Sequence, residues 1–298
     1  MNKTGYFKVA GHTFSLSLPD SKVLWDALQE QYEPFRTEAA EGELLFSLEY
    51  TQEPIEGQKI CVYDEPTQDG ETVVKLYRCG TDWIIDVAMD HRMPICATIR
   101  CNEDFSKGKL YLYDRKVNTG VFGINNGAML MYAFAGARYN TLEMHASVIE
   151  KDGKAYLFLG KSGTGKSTHS SLWLKHIEGT TLMNDDNPII RIEKNGEVMC
   201  YGSPWSGKTR CYKNVSAPAG AFVQIRQCPE NKIQKLAVLQ AYSILFSSVS
   251  GLKDDDSSMA DFINDSMSDV IGAVPFYLLD CRIDPEAAHL CARTVGAE

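Results

Sequence analysis

The string Gly160-Lys161-Ser162-Gly163-Thr164-Gly165-Lys166-Ser167 fits the pattern G-x-x-x-x-G-K-[ST] at every position. That pattern suits the cradling of a nucleoside triphosphate, ATP or another. Glycines let the backbone wrap closely around phosphate oxygens. Backbone amides and the N-terminus of a following helix supply donors and partial positive charge. Lys166 has the reach for the β and γ phosphates, and the Ser167 hydroxyl can coordinate magnesium. The loop alone names no reaction, because ATPases, GTPases, kinases and switches share it.

Two acids and a histidine extend the pattern. Asp185 and Asp186 lie eighteen and nineteen residues after Ser167, just ahead of Asn187-Pro188. A carboxylate at the end of a strand beside the loop is where magnesium needs an anionic partner. Neighbouring residues on an extended chain point to opposite sides. One acid can therefore serve the metal while the other faces an acceptor. A hydroxyl acceptor needs a base for its proton, and two close carboxylates raise one another's proton affinity. His145 precedes Gly160 by fifteen residues. Hairpin pairing across Asp152-Gly153 puts it near the phosphates, where it would orient a carboxylate or contact the transferring phosphoryl group.

These groups need a strand, a loop and a helix to hold them. Residues 155–159 (AYLFL) form an apolar run of strand length, and a helix is expected over 167–176. A strand over 141–149 carries His145, and a short strand over 181–183 leads to the aspartates. Residues 188–192 and 197–201 flank Asn195-Gly196, a hairpin signal. Further strands are expected at 221–226 and 276–281, with helices over 123–139, 233–247 and 257–271. Asp284 caps a last helix that has Pro285 in its first turn. The acids Asp254-Asp255-Asp256 read as a solvated helix start. His169, within the helix after the loop, either packs or faces solvent.

The first 118 residues have a different character. Alternating runs at 13–18, 43–50, 59–63, 72–77, 83–88, 95–100 and 109–113 predict a mainly antiparallel β domain, with one helix over 21–31 capped by Asp20 or Ser21. The expected division is 1–118, β-rich, and 119–298, an α/β nucleotide-binding and catalytic domain.

Bulk composition narrows the class. The chain has 298 residues, 44% hydrophobic and 23% charged, which is ordinary for a globular protein. Its formal charge is −9, from 30 basic and 39 acidic residues, which disfavours nucleic acid as a partner. No targeting segment or membrane span is read in it. Nine cysteines without a C-x-x-C pair fit free thiols in a reducing cytoplasm.

The strand His145-Ala146-Ser147, the loop continuing into Thr168, and the step Asn184-Asp185-Asp186 together resemble the catalytic domain of the HPr kinase/phosphorylase family, a relative of the phosphoenolpyruvate carboxykinase nucleotide-binding domain. The likeness spans about residues 121 to 293, includes the C-terminal stretch from Val274-Pro275-Phe276, and does not reach the N-terminal region. It implies a mixed β-sheet with flanking helices. It implies that Gly160 to Thr168 hold ATP, that Ser167 and Asp185 hold magnesium, and that Asp186 is the catalytic base with His145 beside it. Related kinases place a Pro-aromatic segment where this chain has 202–210, so Lys208 and Arg210 would neutralise phosphate charge and Trp205 would stack on a substrate or pack. The family also forms oligomers. Thr168 replaces the acidic residue usual after Lys-Ser in the HPr enzyme, and the later signature tied to its reverse reaction is not evident.

The expected function is thus an ATP- and magnesium-dependent kinase acting on a hydroxyl of a small molecule, a peptide or a protein serine. The competing expectation is a nucleotide-dependent binding module or switch without transfer.

Overall fold

The computed structural model describes residues 1–298 except 39–41, 65, 66, 68, 69, 115, 208 and 252–257. Lys208 and Asp254-Asp255-Asp256 therefore lie outside the described residues. The chain divides into two compact units, Met1–Gly136 and Ala137–Glu298.

The first unit holds strands β1 (Asn2–Val9), β2 (His12–Pro19), β3 (Arg36–Thr37), β4 (Phe46–Tyr50), β5 (Ile60–Tyr63), β6 (Val73–Cys79), β7 (Asp82–Ala88), β8 (Ala97–Cys101) and β9 (Lys107–Leu112). Its helices are α1 (Lys22–Tyr32) and α2 (Val117–Gly136). The strands form one sheet in the order β3-β1-β2-β4-β9-β8-β7-β6-β5. Pairing is antiparallel except at β2–β4 and β4–β9. Ala10 and Gly11, both at positive φ, make the tight turn between β1 and β2. Ser21 precedes α1, but its side chain makes no capping bond.

The unit boundary falls after α2 rather than near 118, for a packing reason. α2 lies on β4, β7, β8 and β9. Gly123 and Gly127 face that sheet. A Cβ at Gly123 would stand 2.7 Å from the Ala97 Cβ, and one at Gly127 would stand 3.3 Å from Ile99. These glycines let helix and sheet approach closely, which ties α2 to the strands before it.

The second unit begins with a 3₁₀ turn, Ala137–Tyr139. Its strands are β10 (Thr141–Met144), β11 (Ala146–Lys151), β12 (Lys154–Leu159), β13 (Thr181–Asp186), β14 (Ile189–Ile192), β15 (Val198–Tyr201), β16 (Ser216–Gln227), β17 (Lys232–Lys235), β18 (Val249–Ser250) and β19 (Phe276–Cys281). Its helices are α3 (Lys166–His176), α4 (Val238–Ser248), α5 (Ser258–Ala273) and α6 (Pro285–Val295). The main path is β13-β11-β12-β16-β15-β14-β10-β18, with β19 beside β16 and β17 beside β19. β12–β16 and β16–β19 are parallel and the other pairs antiparallel, so this is a mixed α/β sheet. α3 and α6 close one side over Phe158, Trp173, Val223, Ile225 and Leu279. Asp284 caps α6 by accepting from the Ala287 amide at 2.9 Å.

Two local expectations change. The strand expected over 141–149 is two strands that break at His145. β10 pairs with β14 and β18, whereas β11 pairs with β12 and β13. The helix expected from 233 begins only at Val238, because 232–235 pair antiparallel with β19. That register gives edge residues backbone partners that a helix would not need.

Candidate active site

The glycine-rich loop leaves the end of β12 and enters α3. Gly160 has φ +145°, and a Cβ there would meet Thr164 Oγ1 at 2.5 Å and the Ile225 carbonyl at 3.3 Å. Gly163 and Gly165 adopt φ +79° and +103°, a region that favours glycine. Thr164 closes the loop: its amide and hydroxyl both donate to the Lys161 carbonyl, at 3.2 and 2.8 Å. Gln227, ending β16, donates from Nε2 to the carbonyls of Gly163 and Thr164 at 3.5 and 3.4 Å. The buried Ser147–Ser170 hydroxyl pair, 2.6 Å apart, fastens α3 to β11. Lys161, Ser162, Gly163, Ser167 and Thr168 face solvent, while Lys166 is buried.

Register brings the remaining groups to this loop. Ala146 stands opposite both Leu159 and Asp186, which sets His145 at the same end of the sheet as Gly160. The Lys166 ammonium lies 2.8 Å from His145 Nε2 and donates to the Gly160 carbonyl at 2.9 Å. Burial lowers the Lys166 pKa, and Asp186 and Asp185 partly oppose that. Ser167 Oγ donates to Asp185 Oδ1 at 2.9 Å. His145 Nδ1 lies 3.0 Å from Asp186 Oδ1. The two adjacent acids thus serve different partners, one the helix start and the other the histidine.

Asp186 carries two unusual features. Its φ is +122°, strained for a residue with a Cβ. Its protonation also differs from the sequence expectation of mutually raised carboxylates. Burial would raise its pKa, but the hydrogen bond from His145 and the charges of His145 and Lys166 outweigh burial and hold it below the usual value. Asp186 is therefore kept ionised.

Residues 203–207 are pinned by hydrogen bonds to β13. Asn184, fully buried, donates from Nδ2 to Ser203 Oγ and the Trp205 carbonyl, both at 3.3 Å. Ser206 forms a β-bridge with Asp186, and its hydroxyl and the Gly207 amide both donate to the Asp185 carbonyl at 2.8 Å. Trp205 is only 3% exposed, so it packs and presents no free face for stacking. Arg210 is exposed at the end of the loop. His169 is buried, accepts from Trp173 Nε1 at 3.1 Å, and is shifted by burial down to about 4.

Some participants were not legible beforehand. Ser206 and Gly207 reach Asp186 only through tertiary folding. Gln227 has no motif around it. Among the described residues no cluster of three or more His, Cys, Asp or Glu side chains could hold a metal. All nine cysteines are free, and no described helix is long and apolar enough to cross a membrane.

No protein-family model matches this chain, and no curated protein matches it. Among solved structures it is similar to the Hpr(Ser) kinase/phosphatase from Coxiella burnetii, at 13% identity over 51% of this chain and 94% of that one, with a TM-score of 0.31. A likeness at that score carries no argument, so the site rests on its own geometry.

Proposed function

We propose that this chain is an ATP- and magnesium-dependent kinase that phosphorylates a hydroxyl group. The observation that supports it most is the double pairing on β13: Asp185 with Ser167 at the helix start, and Asp186 with His145, itself in contact with Lys166. Loop residues Gly160 to Thr168, with the N-terminal amides of α3, would hold the phosphates. Lys166 would meet the β and γ oxygens. Ser167 and Asp185 are hard oxygen donors of the kind magnesium takes, and the triphosphate and water would complete the set. Magnesium, when bound, neutralises charge on the phosphates and fixes their orientation.

Asp186, held ionised, would accept the acceptor's proton as its oxygen bonds to the terminal phosphorus and the bond to the diphosphate breaks. His145 would hold the Asp186 carboxylate in place. Arg210, at the end of the loop that bridges Asp186, would offset charge on the transferred group. The test is a screen of purified protein with ATP and magnesium against hydroxyl metabolites and serine peptides, read by phosphate incorporation. A phosphorylated hydroxyl product supports the reading. Tight ATP binding with no product across the screen would favour a switch instead.

A further inference from the structure

Strand β13 carries an irregularity just ahead of the two aspartates. Its pairing with β11 joins Ile149 to Leu182 and then Val148 to Asn184, so Met183 is an extra residue, a β-bulge. The bulge changes which side chains share a face. Leu182 packs against the core that α3 and α6 close. Asp185, three residues on, meets Ser167 at the start of α3. Its partner across the pairing, Ser147, meets Ser170 on the same helix. On a regular strand, residues three apart point to opposite sides. Without the bulge, Asp186 would share the face of Leu182 and Asp185 would leave it. The extra residue thus decides which acid faces the helix and which turns to His145.

A buried polar knot holds the strand in that phase. Asn184 and Ser203 are both fully buried. Asn184 Oδ1 accepts from the Asn187 amide at 3.0 Å, and its Nδ2 donates to Ser203 Oγ and the Trp205 carbonyl, each at 3.3 Å. Ser203 Oγ also accepts from the Trp205 amide at 3.2 Å and donates to the Asn187 carbonyl. The bulge itself has a partner: Cys211 Sγ donates to the Met183 carbonyl at 3.4 Å. Beyond the knot, Ser206 and Gly207 both donate to the Asp185 carbonyl, and Ser206 bridges Asp186 at its φ of +122°. Groups this deeply buried hold their partners, because no water stands by to replace them. Resting on the kinase reading, we propose that Asn184 and Ser203 are positioning residues for phosphoryl transfer. Their knot locks the bulged phase of β13, so that Asp186 and not Asp185 is presented to His145 and the acceptor. Neither touches the reacting atoms. Both act through residues 203–207 and the Asp186 backbone.

The test uses the full chain. Asn184→Leu keeps the bulk of the side chain and loses its three hydrogen bonds, and Ser203→Ala is the gentler change. In each, kcat should fall at least about tenfold, while affinity for ATP with magnesium changes less than about twofold. Affinity holds because Asp185 keeps its pairing with Ser147. A crystal structure of either variant should show the Asp186 carboxylate displaced from its 3.0 Å contact with His145. Native kcat, or an Asp186 still at that contact, overturns the proposal; a lower melting temperature alone is what a merely structural role gives. In the native chain, the Asn187, Trp205 and Gly207 amides should exchange with solvent as slowly as the paired amides of β13. Fast exchange there overturns the proposal without any variant. Displacement of Asp186 in a chain that phosphorylates no acceptor upholds the positioning role and removes the kinase reading alone.

Discussion

Asp186 Oδ1 and His145 Nδ1 stand 3.0 Å apart, while the other ring nitrogen of His145 faces the Lys166 ammonium at 2.8 Å. One imidazole tautomer satisfies both neighbours: it donates from Nδ1 to the carboxylate and accepts at Nε2 from the lysine. The ring thus joins the end of the glycine-rich loop to the proposed base. Each member of the row fixes its neighbour, so a change at one is read through the others.

Asp186→Asn keeps the shape of the side chain and removes the base. It should lower the rate of phosphoryl transfer by about 10²- to 10⁴-fold, the usual worth of a positioned base. Nucleotide affinity should change little, because Asp186 is turned toward His145. Steady-state transfer rates beside calorimetric ATP binding decide it, and a near-native rate would mean that another group takes the proton.

Ser167 and Asp185 make a different prediction. Their 2.9 Å contact marks the two oxygens proposed to share magnesium. Ser167→Ala and Asp185→Asn should each weaken magnesium-dependent ATP binding by at least about tenfold. Binding measured with EDTA should hardly move. Equal weakening with and without magnesium would place both residues on the nucleotide itself.

Gly207 tests the loop that covers Asp186. A Cβ there would stand 2.9 Å from Asp186 Oδ2 and 3.0 Å from its Cβ and Cγ. Gly207→Ala must therefore displace the carboxylate, and a shift of about 1 Å can cost on the order of 10²-fold in rate. The expected signature is a lower kcat with unchanged ATP affinity and an unchanged melting temperature. Native kcat in Gly207→Ala would show that the carboxylate's position there does not matter to turnover.

The sequence was most readable where the arrangement of the candidate site depends on local spacing. The loop, the paired aspartates and His145 lie at short separations along the chain, and the pattern of residue types carries them. It was least readable where hydrogen bonding changes partner. An alternating run over 141–149 looks like one strand, since alternation records side-chain direction and not which strand lies alongside. The break at His145 is a property of β14, β18, β12 and β13 taken together. Trp205, between Pro and Ser in a glycine-bearing segment, left stacking and packing both open, and only the hydrogen bond of its carbonyl to Asn184 and its burial decide for packing. The glycines of α2 were visible but silent, because only the facing Ala97 and Ile99 give them meaning.

Two buried groups of the second unit make its stability depend on pH in opposite directions. His169 titrates at about 4 in the fold against 6.5 unfolded, so the unfolded chain takes up a proton that the fold refuses. Its contribution to stability is complete above 6.5 and falls as pH drops to about 4. Glu143 titrates at about 7 in the fold against 4.5 unfolded, so the fold keeps a proton that the unfolded chain releases. Its contribution is complete below 4.5 and falls as pH rises to about 7. Each amounts to about 3 kcal/mol at its limit. The two slopes nearly cancel between 4.5 and 6.5, and single variants should uncover them. In His169→Gln, which keeps an acceptor for Trp173, stability should decline as pH rises through this window. In Glu143→Gln it should decline as pH falls, and the variant should gain on the native chain most above pH 7. Urea melts across the window measure both slopes. If Glu143→Gln parallels the native curve throughout, the buried carboxyl is already ionised in the fold and its proton does not contribute to stability.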